Sequence, residues 1–255
     1  YSNNHPHDSA WFLAEGLEIE RVLEDYAGLI NYVRGLKRSD KRVYLSFDEW
    51  NVWYHSNEMD GQWASAPHLI EEVYNLEDAL VCAQYLSPFV RRADLVKIAC
   101  LAQLVNIIAP ILTRRDGMLL QTIYYPFLMF AQNARGRSLT PAIQCPTYKA
   151  GARGDAPVLD AAASCDPEHH EAAVFLIHRN TAAPLELTVH LADISIARVA
   201  SAEMLTHPDL KAGNSWEQPN AVMPVMIHST LAGAHTVKLT RPPQSLTMLR
   251  LQTQT

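Results

Sequence analysis

The sequence predicts an α/β part followed by an all-β part. Up to residue 139, helical periodicity alternates with short apolar runs typical of strands. Alternating helices and strands are typical of a parallel sheet or barrel. From residue 140, short runs of alternating hydrophobicity are punctuated by Gly and Pro. This second pattern predicts an antiparallel β-sandwich.

Each element of the first part follows from its own pattern. Apolar residues at three- and four-residue spacing predict a helix whose inward side includes Tyr26, Leu29 and Val33, with Asp8 or Ser9 as its N-cap. A proline, Pro88, is expected to kink or end the second helix. In chain order the elements are a helix over 8–37, a strand over 42–47, a helix over 69–90, a strand over 95–100 and a helix over 119–134.

The strands of the second part come from period-two alternation, which places successive side chains on opposite faces of a sheet. The predicted strands cover residues 174–178, 185–191, 237–239 and 246–251. The division expected from these patterns is an α/β part over 1–139 and a sandwich over 140–255.

The α/β part is too short to be a complete barrel. An eight-stranded α/β barrel needs about 250 residues, whereas the pattern before residue 140 supplies two strands. The part is therefore either a small α/β unit of another kind or the rear portion of a longer chain.

Composition excludes several function classes. The net charge is −6 and the basic residues form no stripe, so no nucleic-acid partner is expected. No apolar run reaches the roughly 18 residues of a membrane span. The four cysteines lie outside any C-x-x-C spacing, which favours free thiols and a reducing, cytoplasmic compartment. None of the eleven histidines shows metal-ligand spacing on a helix, so neither a metal nor a cofactor is expected.

The most informative stretch runs from Tyr44 to His55, where a strand pattern ends in Asp48 and Glu49 among Trp and Tyr residues. Carboxylates at the carboxyl end of a parallel strand lie where barrel enzymes assemble their active sites. Aromatic rings offer flat apolar faces to a sugar, and paired carboxyl groups suit glycoside hydrolysis. The plainer interpretation is a strand end with solvated acids, but the density of aromatic residues favours a sugar site.

On these residues, the chain resembles the α-L-arabinofuranosidases of glycoside hydrolase family 51. The stretches that carry the resemblance occur in family order over about half the chain; they are Leu45-Ser-Phe-Asp-Glu-Trp-Asn-Val-Trp-Tyr-His55, Tyr74-Asn-Leu-Glu-Asp-Ala-Leu80, Arg92-Ala-Asp94, Val96-Lys-Ile-Ala-Cys-Leu-Ala-Gln-Leu-Val-Asn106 and Gln121-Thr-Ile-Tyr-Tyr-Pro-Phe127. The tail from Pro141 fits the family's β-sandwich by type rather than by motif.

The resemblance implies that residues 1–139 are the C-terminal portion of a (β/α)8 barrel. It also implies a retaining hydrolase that releases α-L-arabinofuranosyl residues from polysaccharides or oligosaccharides. Glu49 falls at the position of the family's nucleophile, Trp53 and Gln103 at sugar-contacting positions, and Tyr1 near a tyrosine that bonds to the nucleophile. Relatives form multimers, so a homo-oligomer is expected by resemblance alone.

One part of the family's chemistry is missing. The family's general acid/base is a glutamate upstream of the nucleophile, so we expect it in an N-terminal half of the barrel that this chain lacks. A similar Asn57-Glu58 pair occurs downstream instead, where Glu58 is a loop residue and a weak candidate. Asp48 is a poor substitute, because neighbouring strand residues face opposite sides unless the strand breaks.

Two other functions stay open. The chain could be a non-catalytic carbohydrate-binding fragment, or part of an endo-glucanase or xylanase-type enzyme of the same family. We expect the chain by itself to be inactive.

Overall fold

A computed structural model describes residues 7–54 and 71–254. Helices and strands are numbered in chain order. The helices are α1 Ser9–Phe12, α2 Gly16–Leu36, α3 Leu76–Arg91 and α4 Tyr124–Asn133. The strands are β1 Leu45–Trp50, β2 Val96–Leu101, β3 Ile111–Arg114, β4 Gly117–Leu120, β5 Arg137–Leu139, β6 Thr147–Lys149, β7 Asp155–Pro157, β8 Leu159–Asp166, β9 Glu171–His178, β10 Leu185–His190, β11 Ile196–Thr206, β12 Val225–Met226, β13 Thr230–Gly233, β14 Thr236–Arg241 and β15 Ser245–Thr253.

The first predicted helix is broken in two. Asp8 is the N-cap, and its carboxylate accepts a hydrogen bond from the Trp11 amide at 3.1 Å. Residues 13–15 form a turn between α1 and α2, in which the Ala14 and Glu15 amides donate to the carbonyls three residues back, at 3.2 Å and 3.0 Å. A Cβ at Gly16 would lie 2.9 Å from the Gln84 Cβ, so α2 starts pressed against α3. The prediction of an inward-facing stripe was wrong for its second half, because Tyr26, Leu29 and Val33 are exposed.

The first predicted strand begins three residues later than expected and continues through both carboxylates to Trp50. It pairs in parallel with β2, which lies within one residue of its prediction. Phe47 pairs with Ala99 and Trp50 with Leu101, so Asp48 and Glu49 lie in an irregular stretch of the ladder. Such an irregularity re-aims side chains and is common beside active sites.

The second predicted helix corresponds to α3, which begins at Leu76 rather than at residue 69. It starts with a capping box in which Asn75 and Asp78 satisfy each other's backbone amides. Pro88 does not end it, since the helix continues to Arg91. A proline this close to the helix end removes one backbone hydrogen bond and leaves little helix to disrupt. Burial along nearly the whole helix holds its last turn in place.

The third predicted helix starts too early. Leu119 and Leu120 belong to β4, which forms a hairpin with β3, and α4 begins at Tyr124. The apolar run of these residues suits a strand as well as a helix, and periodicity alone does not separate the two over so short a stretch.

The second half of the chain is antiparallel sheet, as the alternation predicted. A six-stranded sheet has the order β12-β11-β15-β9-β8-β5, and a three-stranded sheet has the order β10-β14-β13. The predicted strands correspond to β9, β10, β14 and β15, so the sequence patterns missed the long strands β8 and β11 and the short strands β5, β6, β7, β12 and β13. Strand β8 contains Ala161–Ala163, and alanine has low strand propensity, but the strand is buried along nearly its whole length.

Two clusters of buried apolar residues lie on the two faces of the six-stranded sheet. One joins the sheet to α3 and α4, where the rings of Phe130 and Phe175 stack with centroids 3.9 Å apart. The other fills the space between the two sheets. Gly136, at φ 75°, turns the chain into β5, and a Cβ there would lie 2.3 Å from the Cys165 carbonyl oxygen. Among the helices of the described residues, none has the length and apolar character needed to cross a membrane.

Candidate active site

Glu49 lies in the irregular stretch of β1, one residue before the strand ends, and is exposed. Because β1 and β2 are parallel, their carboxyl ends meet at one edge of the sheet. The ladder irregularity removes the regular alternation on which the argument against Asp48 rested. Asp48 is exposed as well.

Gln103 follows the end of β2 at the same edge as Glu49. It opens a loop over residues 103–107, which we call the Gln103 loop and which is exposed from Gln103 to Val105. The Ala102 amide donates to the Trp50 carbonyl at 3.1 Å, so the Gln103 loop leaves the sheet directly beside the end of β1. The peptide bond between Ala102 and Gln103 is cis.

Asn51 links the two strand ends. Its buried carboxamide donates to the Ala102 carbonyl at 2.7 Å and to the Ile108 carbonyl, and accepts from the Val52 amide at 2.8 Å. Asn51 lies in the stretch from Leu45 to His55 that carries the family resemblance, but the sequence gives it no role of its own. Its partners are 51 and 57 residues away, and no local pattern reveals them.

Trp53 is half-buried, and the next residue, Tyr54, is tied to α3. The Tyr54 hydroxyl donates to Asp78, which also accepts from the Asn75 amide at 2.8 Å. Burial raises the pKa of the Asp78 carboxyl to about 7, although both hydrogen bonds lower it. The pKa of the Tyr54 phenol is raised, mainly by burial and next by the negative charge of Asp78. The backbone that carries Trp53 is thus anchored at the N-terminal end of α3.

A second set of hydrogen bonds ties the chain after residue 71 to the same edge. The Gln121 side chain accepts from the Tyr74 amide at 3.0 Å and donates to the carbonyls of Glu72 at 2.9 Å and Ala109 at 2.7 Å. The Tyr74 hydroxyl donates to the Val52 carbonyl at 2.7 Å. Gln121 and Tyr74 lie in stretches that carried the family resemblance, and their structural role is to join the loops after β1 and β2.

The structure therefore places Glu49, Trp53 and Gln103 on the segments that leave one edge of the parallel pair. Tyr1 and Glu58, the other residues predicted for the site, lie outside the described residues. Within residues 7–54 and 71–254, no group of three or more His, Cys, Asp or Glu side chains could hold a metal ion. All four cysteines lie in the described ranges and are free thiols.

The comparisons with known proteins agree with this architecture. Residues 48–245 match the family model for the α-L-arabinofuranosidase C-terminal domain. The chain is 39% identical over 218 residues to an intracellular exo-α-(1→5)-L-arabinofuranosidase of Halalkalibacterium halodurans, covering 84% of this chain and 44% of that protein. It is 34% identical over 255 residues to an exo-α-(1→6)-L-arabinofuranosidase of Bifidobacterium longum, covering 96% of this chain and 49% of that protein.

Solved structures of family 51 arabinofuranosidases also resemble this chain. AbfB, a family 51 α-L-arabinofuranosidase from Bifidobacterium longum, superposes with a TM-score of 0.88 at 30% identity, covering 98% of this chain and 51% of that one. The arabinofuranosidase of Xanthomonas axonopodis pv. citri gives a TM-score of 0.80 at 26% identity, covering 95% of this chain and 47% of that one. The chain thus spans about half the length of the relatives it matches.

A parallel strand pair with carboxylates at its carboxyl edge is joined through α3 and α4 to an antiparallel sandwich, and this architecture superposes on glycoside hydrolase structures. More narrowly, the chain belongs to the α-L-arabinofuranosidase C-terminal domain family, and its resemblance to family 51 enzymes is confirmed.

Proposed function

We propose that this chain is the C-terminal half of a retaining glycoside hydrolase that releases α-L-arabinofuranosyl residues from oligosaccharides and polysaccharides. One observation carries the proposal. Glu49 is exposed on an irregular strand end, at the same edge as Gln103 and the segment bearing Trp53, in a chain of this family. Relatives at 39% and 34% identity are named arabinofuranosidases.

The proposed roles follow from retaining hydrolysis. The Glu49 carboxylate attacks the anomeric carbon and forms a covalent glycosyl-enzyme, while a second carboxyl about 5 Å away protonates the leaving oxygen. That second group then removes a proton from water, which releases arabinose and restores both carboxyl groups. Trp53 packs against the sugar, Gln103 hydrogen-bonds it, and Tyr1 bonds to Glu49.

We further propose that residues 1–139 are the last part of a (β/α)8 barrel and that residues 140–255 form the sandwich. Parallel strands are normally buried on both faces, but β1 and β2 have one buried residue each, and their other residues are half-buried or exposed. Neither strand has another partner among the described residues. A cleft of about 300 Å³ runs beside β2, lined by residues of α3, α4 and β5 that include Phe89, Phe127 and Ser138.

These uncovered surfaces support an upstream segment that completes the barrel and supplies the acid/base. On this proposal, the purified 255-residue chain does not hydrolyse an activated arabinofuranoside, whereas the complete natural polypeptide does. Turnover by the 255-residue chain at the rate of the complete polypeptide would refute the proposal. It would also return Asp48 and Glu58 as candidates for the acid/base.

The role of Glu49 is tested in the complete polypeptide. Glu49→Ala should lower kcat/KM by several orders of magnitude, because the covalent step has no substitute. A mechanism-based furanoside should label a peptide containing Glu49 and no other. Glu58→Ala is the matched control and should cost about tenfold or less, since a loop carboxylate contributes only positioning. A label on Glu58, or equal loss in both variants, would reject the assignment.

The substrate, the cellular compartment and the oligomeric state are also part of the proposal. The names of the relatives include both (1→5) and (1→6) linkages, so a panel of linked arabino-oligosaccharides should decide linkage. The same panel, extended to β-glucan and xylan, tests the glucanase alternative. Saccharide binding by the complete polypeptide without turnover would favour the carbohydrate-binding alternative. We also propose an intracellular enzyme that assembles as a homo-oligomer. Several relatives are named intracellular arabinofuranosidases.

A further inference from the structure

We propose that Asn51 is a positioning residue that holds the Gln103 loop against the strand carrying Glu49. The inference deepens the proposed function, on which it rests, because it assigns a device that fixes the sugar-contacting glutamine relative to the nucleophile. Asn51 itself lies 1% exposed and beneath the site, so it acts through the Gln103 loop.

The carboxamide of Asn51 closes the Gln103 loop at its base. Its amide nitrogen donates to Ala102, the residue before the loop, at 2.7 Å, and to Ile108, the residue after it. Its oxygen accepts from the Val52 amide at 2.8 Å, which fixes the orientation of the carboxamide. The Asn51 side chain, directly after β1, thus bonds the residues at both ends of the loop that follows β2.

The Gln103 loop has little packing of its own to replace this link. Leu104 is 65% exposed and Val105 is 42% exposed, so apolar burial does not hold them. The far side of the loop is tied to the hairpin by the Asn106 amide, which donates to the Ile111 carbonyl at 2.8 Å. On the side nearest Glu49, the Gln103 amide donates to the Ile108 carbonyl at 3.3 Å, and Asn51 donates to that same carbonyl.

Removing the carboxamide should therefore leave the buried Ala102 carbonyl without this donor and the Ile108 carbonyl with only the longer bond from the Gln103 amide, which frees the near side of the loop. A buried polar group left unpaired costs more than the hydrogen bond itself contributes. A displacement of about 1 Å in a positioning group can reduce a rate about a hundredfold. The consequence is a loop that opens more often and a Gln103 that meets the sugar less often.

The chain contains a matched control in Asn214. Its carboxamide donates to the Leu120 carbonyl at 2.9 Å and the Val222 carbonyl at 3.0 Å, and accepts from the Val222 amide at 2.8 Å. It is 3% exposed. Asn214→Ala therefore removes the same set of hydrogen bonds from an equally buried position that does not touch the Gln103 loop.

The first experiment measures hydrogen exchange by mass spectrometry in the 255-residue chain. Asn51→Ala should speed amide exchange in a peptide covering residues 102–108 by about tenfold or more, and Asn214→Ala should leave that peptide unchanged. Asn51→Asp keeps the side-chain volume and the acceptor but loses the donor, so it should repeat the effect if Asn51→Ala fails to fold. Unchanged exchange in the folded Asn51 variants would overturn the proposal.

The second experiment measures kinetics in the complete polypeptide. Asn51→Ala should reduce kcat/KM by about 10- to 100-fold, and Asn214→Ala should change it by less than about twofold. If Asn51 acts through Gln103, the double variant Asn51→Ala/Gln103→Ala should lose no more kcat/KM than the less active of the two single variants. Fully multiplicative losses would show that Asn51 does not work through Gln103.

The two experiments separate the possible failures. Faster loop exchange with unchanged kinetics would reject the positioning role and leave the proposed function standing. A wild-type complete polypeptide without arabinofuranosidase activity would reject the proposed function and, with it, the positioning role.

Discussion

The six-stranded sheet and the parallel pair β1–β2 are stabilised in different ways. Strands β8 and β9 are buried along nearly their whole length, because helices cover one face of their sheet and the second sheet covers the other. In β1, by contrast, one residue of six is fully buried. Helix α2 beside it leaves Leu29 59% and Leu36 70% exposed.

This difference shows that the six-stranded sheet is covered on both faces, by α3 and α4 on one and by the second sheet on the other, whereas β1 and β2 stay largely uncovered among the described residues. The candidate site lies in the less complete part. Its local order comes from directed hydrogen bonds, such as those of Asn51 and Gln121, rather than from packing on all sides.

The largest effect is expected from matched leucines in the two parts. Leu249 in β15 is fully buried, so Leu249→Ala should lower the free energy of unfolding by about 2–5 kcal/mol. Leu29→Ala in α2 should change it by less than about 0.5 kcal/mol in the 255-residue chain. Denaturant unfolding measures both, and Leu23→Ala, fully buried on the same helix as Leu29, is the control for helix effects.

The effect of Leu29→Ala should be larger in the complete polypeptide than in the 255-residue chain. If an upstream segment covers α2, Leu29→Ala should there cost about 2 kcal/mol or more. An unchanged small effect in the complete polypeptide would show that this face stays in water.

An intermediate effect is expected where the two parts are joined by charge. Asp160 in β8 is 5% exposed and accepts from Arg91 of α3 at 2.7 Å, and Arg179 lies 3.5 Å away. Asp160→Ala should cost about 2 kcal/mol, below the usual loss for a broken buried pair, because Arg91 keeps Glu20 as a partner.

The control for Asp160 is the exposed pair of Lys149 and Asp155, whose side chains are 84% and 54% exposed. Asp155→Ala should cost about 0.5 kcal/mol or less. Equal losses in the two variants, measured by denaturant unfolding, would mean that the buried charge link does not stabilise the junction.

Measured per pH unit, the smallest effect is expected at Asp78, whose protonation makes the stability depend on pH. Burial raises its pKa from the ordinary value of 3.8 to about 7, so between these values the folded protein holds a proton that an unfolded chain with an ordinary Asp has lost. Stability contributed by this group therefore falls as pH rises through that window. Relative to Asp78→Asn, the wild-type free energy of unfolding should fall by at most about 1.4 kcal/mol per pH unit.

Tyr54→Phe tests the cause of this pH dependence. The Tyr54 hydroxyl lowers the pKa of Asp78, so its removal should move the upper end of the window above its wild-type position near 7. A window that moves to lower pH, or a difference between wild type and Asp78→Asn that does not vary with pH, would contradict the burial of Asp78.

By itself, the sequence determined the order of the main elements, the antiparallel character of the second half and the family. These depend on local periodicity, on turn residues and on one motif around Glu49, all of which a single chain displays. The tertiary structure decided the rest. Burial on both faces made a strand of Ala161–Ala163, close contact with α3 set the start of α2, and packing carried α3 past Pro88. The roles of Asn51 and Gln121 are visible only in the tertiary structure, because their hydrogen-bond partners lie up to 57 residues away along the chain.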